Sequence, residues 1–248
     1  MELAHKYRDG GSELVFFLHG LGCSKESFSR VWEMEGYKKY SLLAVDMAGH
    51  GGSPRPEDFS YSMEAHADAC ISLLKGKEFK KLHIAAHSMG GAVGLLLADE
   101  LPDRLASFVS VEGNLTGADC GLVSRKTAMY PEADFAGVKF SRFIEANEKA
   151  SDPSLRLWAG MLRKCSPLAF HKSAASLVEW SDSGKLLEKF LELRCRKAYI
   201  YGERNSGMDV LSMMKSIETI SVPGSGHFVM NDNPEGFYSD LLGFFGGR

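Results

Sequence analysis

Ser88 stands in HIAAHSMGGAVG, between an apolar run and a stretch of small and apolar residues. Its neighbours at minus two and plus two are Ala86 and Gly90, with Gly91 next. Small side chains are needed where a chain turns sharply from strand into helix, because its atoms crowd there. Such a turn pushes the serine hydroxyl out at the top of a sheet. It also sets the serine at a helix N-terminus, where unpaired N–H groups favour negative charge. This is the setting of a nucleophile for acyl transfer. His227, in GSGHF, is the residue that can take the hydroxyl proton, since a neutral imidazole works as a base near neutral pH. It sits in a glycine-rich loop between the last apolar run and the last helix-like segment.

Negative charge developing on a carbonyl oxygen needs donors. In LHGLGCS the chain turns after His19 and Gly20, and the N–H of Leu21 is expected beside that of Met89. Two such donors form an oxyanion hole, each contributing on the order of 3 kcal/mol in the transition state. The His19 side chain reads as a satisfied core histidine. DMAGHGGS brings three glycines, Gly49, Gly51 and Gly52, into a tight loop, and its Asp46 and His50 read as residues that fix the loop. In SFVSVEGNLTG an apolar run stops at Glu112, followed by the turn residues Gly113 and Asn114. A carboxylate at the end of a buried strand is costly without a partner.

These residues require elements that bring them to one place. Six apolar runs ending at polar or glycine residues have the pattern of strands buried on both faces: 14–20, 40–46, 81–88, 105–112, 196–202 and 217–224. Helix-like segments separate them. One starts at Ser62, a candidate N-cap; another follows Ser88; a third starts at Pro234. Strand–helix alternation predicts an α/β fold with a doubly wound, mostly parallel sheet. The alternation breaks between about 115 and 193, where apolar residues recur at three-to-four spacing (Phe135, Phe140, Phe143, Ile144, then Leu155, Trp158, Met161, Leu162). A crossover needs only about a dozen residues. The excess is expected to be a helical insertion over 115–193, with 1–114 and 194–248 forming the core.

Composition limits the alternatives. The chain has 248 residues, 44% hydrophobic and 25% charged, with a formal net charge of −3. That balance gives no sign of a nucleic-acid or membrane partner. No apolar run reaches the roughly 20 residues of a membrane span. The N-terminal residues lack the apolar core of a signal peptide. Five dispersed cysteines (Cys23, Cys70, Cys120, Cys165, Cys195) without a C-x-x-C pair read as reduced thiols. A cytoplasmic protein is expected. Neither a metal nor an organic cofactor is implied.

HGLG (19–22), DMAGHGGS (46–53), AHSMGG (86–91) and GSGHF (224–228), in this order, resemble the α/β-hydrolase superfamily. The resemblance spans nearly the whole chain, with 115–193 matching the variable cap of such proteins. It implies the α/β-hydrolase fold, a Ser88 nucleophile, a His227 base, an oxyanion hole from the N–H groups of Leu21 and Met89, and a carboxylate partner for the histidine. Ala86 departs mildly from the usual glycine. Only about a dozen residues precede the first buried strand, where the family commonly has two strands, so one short strand or a stub of a hairpin is expected.

The acid is the larger departure. Many members carry it after the next-to-last strand in a G-x-x-D pattern. Here YIYGERNSG places Asn205 at that position, and an amide cannot supply the charge that orients the histidine. Glu112 ends the strand after the nucleophile segment, at the same sheet edge. Some families of this superfamily, such as the haloalkane dehalogenases, take their acid from there, although their nucleophile is an aspartate where this chain has Ser88. Glu112 is the preferred acid, Glu203 the alternative and Asp209 a third, expected instead to begin a helix. Phe135, Phe140, Trp158, Met161 and Met129 are expected to line an apolar substrate site.

The reading is a serine hydrolase acting on a small-molecule carboxylic ester or related acyl substrate through an acyl-enzyme. The same site also suits C–C bond hydrolysis, lyase or perhydrolase chemistry. A non-catalytic binding protein on a hydrolase scaffold is the third reading, favoured only by Asn205. Cys23, just after the oxyanion loop, raises the question of thiol sensitivity.

Overall fold

The computed structural model describes residues 1–247. Seven strands form one sheet: β1 (His5–Arg8), β2 (Glu13–Leu18), β3 (Ser41–Val45), β4 (Lys81–His87), β5 (Leu105–Val111), β6 (Arg196–Gly202) and β7 (Glu218–Val222). Their order is β1-β3-β2-β4-β5-β6-β7. All neighbours run parallel except β1, which pairs antiparallel with β3. The six apolar runs are therefore the six parallel strands. Those of β2 to β5 are buried almost throughout, as helices on both faces require. β1 is the one short strand at the front. It keeps His5, Lys6 and Arg8 partly exposed, and charge on an edge strand discourages further pairing.

Helix α1 (Met63–Leu74) starts at Ser62, whose hydroxyl accepts from the N–H of Ala65. Helix α2 (Met89–Ala98) leaves β4 directly, with Ser88 at its start. Between β5 and β6 the chain is helical. A 3₁₀ turn leads into α3 (Gly121–Ala128), then α4 (Glu132–Asp134), which runs through a π turn at Phe135–Lys139 into α5 (Phe140–Glu148). Three helices follow: α6 (Pro153–Leu162), α7 (Pro167–Asp182) and α8 (Lys185–Glu192). Asp152 and Ser166 cap α6 and α7, and Pro153 and Pro167 occupy first-turn positions that need no N–H. α7 ties this region to the core: Ser173 Oγ bonds His66 Nε2 at 2.9 Å, and Ser176 Oγ accepts from Met63 N at 3.1 Å, both partners on α1. α8 lies on the sheet, with its buried Phe190 ring 6.0 Å from that of Phe108 on β5. The chain closes with α9 (Val229–Asp232) and α10 (Pro234–Phe245), the latter capped by Asn233.

The loop after β3 is fixed by one carboxylate. Asp46 Oδ1 accepts from Lys25 N at 2.7 Å, and Oδ2 from Lys25 Nζ at 2.6 Å and Gly52 N at 2.8 Å. Gly51 has φ +53°, and a Cβ there would collide with the carboxylate. Burial pushes the Asp46 carboxyl up, but the Lys25 ammonium and the amides of Gly52 and Lys25 outweigh it and hold the group below its ordinary value. The folded state therefore binds this proton less readily than the unfolded chain. The stability it contributes is present above the unfolded value near 3.9 and is lost as pH falls through the lower folded value. Asp46→Asn is expected to lower stability at pH 7 by about 2 kcal/mol, less than for a fully buried pair, because Lys25 keeps 22% of its side chain exposed. It should also flatten the acid limb of the stability profile, as checked by urea unfolding between pH 6 and 3.

Candidate active site

Ser88 has φ 52° and ψ −123°, a conformation that L residues rarely adopt. Such a backbone costs on the order of 1–3 kcal/mol and persists only where its surroundings hold it. Here Ser88 N donates to Val111 O at 3.0 Å and Gly91 N donates to Ser88 O at 2.8 Å. Gly90 is obligatory, since a Cβ would run into the carbonyls of Leu18 and His19. Ala86 fits because α2 turns Gly94 toward it; a Cβ on Gly94 would lie 3.3 Å from that of Ala86. Unlike Ser62 and Ser166, Ser88 does not cap its helix with its side chain. Its hydroxyl donates to Asn114 Oδ1 at 3.4 Å.

His227 lies in the loop after β7. Its Nδ1 donates to Glu112 Oε2 at 3.2 Å, which leaves Nε2 as the basic nitrogen. The backbone O of His227 accepts from His87 Nε2 at 2.9 Å. Burial holds His87 well below the ordinary histidine value, with the neighbouring His227 adding to the effect, so His87 is a neutral support. Glu112 itself has φ 48° and a side chain 2% exposed. Three donors meet its carboxylate: Gly202 N on Oε1 at 2.8 Å, and Asn205 Nδ2 at 2.9 Å and His227 Nδ1 on Oε2. The desolvation cost of the buried carboxylate is thus met by hydrogen bonds. Asn205 is a donor to Glu112; an aspartate there would set a second negative charge against it.

Glu203 faces elsewhere. Its Oε2 accepts from Gly224 N at 2.8 Å in the turn after β7. Asp209 begins a 3₁₀ turn, Asp209–Met213. His19 is satisfied within the core: Nδ1 bonds Gly20 O at 2.8 Å and Nε2 accepts from Met47 N at 3.0 Å. The turn it precedes is closed by Cys23 N on Gly20 O at 3.1 Å, with Gly22 at φ 69°. Among the described residues neither Leu21 N nor Met89 N donates to a protein acceptor; Leu21 lines the cavity beside Ser88, whereas Met89 is buried at the start of α2 and does not. Trp158 Nε1 donates to Leu21 O at 3.1 Å and steadies that turn.

Ser88 and His227 share a cavity of about 280 Å³. Its lining includes the apolar Val123, Leu155, Trp158 and Phe228 and the polar Asn114, Asp119 and Ser124. Burial raises the Asp119 carboxyl above its ordinary value, against the pull of the Thr116 and Leu115 amides. No hydrogen bond joins Ser88 to His227 among the described residues; catalytic contacts of this kind commonly tighten only once substrate is bound. A serine on a strained turn, an imidazole held through its far nitrogen by a carboxylate, and the amides of Leu21 and Met89 can support nucleophilic acyl transfer.

Residues 15–240 match the model of the alpha/beta hydrolase family. The chain belongs to this family. This hydrolase is 26% identical over 272 residues to the sn-1-specific diacylglycerol lipase ABHD11 of Mus musculus, covering 98% of this chain and 85% of the relative. Among solved structures it is similar to MenH from S. aureus, with a TM-score of 0.80 at 15% identity over 98% of this chain and 97% of the other. A thermophilic esterase from Thermogutta terrifontis gives a TM-score of 0.76 at 19% identity over 98% and 92% of the two chains. At these identities the two structures attest the fold alone.

Not every residue expected to line an apolar substrate site lines this cavity. Trp158 lines the cavity, but Phe135, Phe140 and Met161 do not. Phe135 stacks on Phe170 at 5.6 Å and Phe140 packs at 5.4 Å from the same ring, among the helices between β5 and β6. Met161 Sδ accepts from Ser27 Oγ at 3.4 Å. Met129 is 78% exposed. Spacing finds the apolar face of a helix, but the α5, α6 and α7 faces meet one another before they meet a ligand. Conversely, Asn114, His87 and Phe228 are at the cavity and were not singled out. Asn114 carried the one available signal, its place two residues after Glu112 at a strand end. Cys23 is buried, and burial pushes its thiol up to about 12, so it holds no reactive thiolate.

Proposed function

We propose that this hydrolase cleaves a carboxylic ester or related acyl substrate through a Ser88–His227–Glu112 triad and an acyl-enzyme. The observation that carries this reading is the His227 Nδ1 to Glu112 Oε2 contact behind a serine whose strained backbone serves no capping role. His227 Nε2 takes the Ser88 proton as Oγ adds to the substrate carbonyl. The N–H groups of Leu21 and Met89 hold the oxyanion, and buried Glu112 stabilises the imidazolium. His227 then protonates the leaving alcohol, and water releases the acid. A relative named as a diacylglycerol lipase supports an ester substrate. Hydrolysis of p-nitrophenyl esters that disappears in Ser88→Ala tests the reading; turnover that survives in Ser88→Ala defeats it.

The helices between β5 and β6 act as a cap over this site, and Trp158 sets its depth. Trp158→Ala removes the indole wall and the support of Leu21. It is expected to lower kcat/KM for the acetate ester, while raising the octanoate-to-acetate preference by about tenfold or more. Trp158→Phe keeps most of the wall, so the preference should stay near wild type. Progress curves on the two esters distinguish these outcomes.

A further inference from the structure

Asn114 is buried at 4% exposure and its amide has one orientation. Nδ2 donates to Asp119 O at 2.7 Å, which leaves Oδ1 as the acceptor for Ser88 Oγ. The sheet order places its groups on two sides of Ser88. Leu21 follows β2 on one side of β4, whereas Asn114 follows β5 and His227 follows β7 on the other. Leu21, Asn114 and His227 line the same cavity as Ser88, so an acyl group whose oxygen lies on the Leu21 side would have Asn114 and His227 on its other side.

Acylation changes what Asn114 meets. Ser88 Oγ loses its hydrogen, so Oδ1 loses its donor and is left to accept from water in the cavity it lines. The attacking water brings two hydrogens to the same place, one for His227 Nε2 and one for Asn114 Oδ1. We propose that Asn114 positions the water that hydrolyses the acyl-enzyme. The inference rests on the acyl-enzyme reading above. The water oxygen bonds to the acyl carbon as one proton passes to His227 Nε2. The tetrahedral adduct then collapses: the bond from acyl carbon to Oγ breaks, His227 returns the proton to Oγ, and the carboxylic acid leaves. Oδ1 accepts from the water until attack and from the restored Ser88 hydroxyl afterwards.

The test is stopped-flow hydrolysis of p-nitrophenyl acetate by the wild type, Ser88→Ala, Asn114→Ala and Asn114→Ser, with folding checked by circular dichroism and the acetyl-enzyme followed by intact mass. Slowed deacylation makes kcat and KM fall together, by about 10²-fold. kcat/KM, set by acylation, should stay within about threefold of wild type. A nitrophenol burst approaching one equivalent and an acetyl group on Ser88 should accompany this. Asn114→Ser, too short to reach the water, is expected to behave alike and serves if the alanine variant does not fold. Loss of kcat/KM equal to the loss of kcat, with no burst and no acetyl-enzyme, overturns the role of Asn114 while leaving the hydrolase reading intact. A wild type with neither turnover nor acetylation of Ser88 overturns both.

Discussion

Glu112→Gln is expected to lower kcat for ester hydrolysis by roughly 10³- to 10⁴-fold, the scale of losing a triad carboxylate. Glu203→Gln should stay within about twofold, as for a surface substitution away from the site. The geometry explains the asymmetry. Three donors converge on the two oxygens of Glu112: Gly202 N–H, the Asn205 amide and His227 Nδ1–H. A glutamine must turn an NH₂ toward at least one of them. It therefore breaks a buried bond or pushes His227 into the tautomer with Nε2 protonated, which cannot take a proton from Ser88. The negative charge that stabilises the imidazolium is lost as well. Glu203 is spent on Gly224 N in the neighbouring turn. Steady-state kinetics on the two variants, with KM followed separately, checks this. A large loss in Glu203→Gln beside a normal Glu112→Gln would reverse the assignment.

Ser88→Ala is expected to cost about 10⁵- to 10⁶-fold in kcat, since removing the nucleophile alone removes most of what a triad does. It should leave stability nearly unchanged, because among the described residues the hydroxyl makes only the 3.4 Å contact to Asn114 and does not cap its helix. Ser88→Gly should be equally inactive yet more stable, by roughly 1 kcal/mol, because glycine adopts φ 52° without strain. Urea unfolding of the three proteins separates these outcomes. A serine present only for packing would give the opposite pattern, with stability lost and activity kept.

Much of this site was legible before the fold was known. A strand buried on both faces leaves a continuous apolar run, so β2 to β7 and the sheet edge they share could be read directly. The turn at Ser88 announces itself through Gly90 and Gly91, which nothing larger can replace without a backbone collision or crowding. Glu112 could be chosen because a buried carboxylate demands a partner and its strand end lies beside Ser88. The meaning of Asn205 could not be read. In the sequence it looks like a missing acid; in space it donates to Glu112, which stands one strand over. The helices between β5 and β6 were the least legible part. Phe135, Phe140 and Met161 mark apolar helix faces as well as Leu155 and Val123 do, but only the packing of α3 to α7 decides which faces are left for a ligand.

The most direct measurement is the intact mass and peptide map of the wild type and Ser88→Ala after exposure to a fluorophosphonate, which reacts preferentially with an activated serine. The account predicts one adduct on the wild type, located on Ser88, and none on Ser88→Ala. A wild type that stays unlabelled, or an adduct that persists in Ser88→Ala, would contradict it.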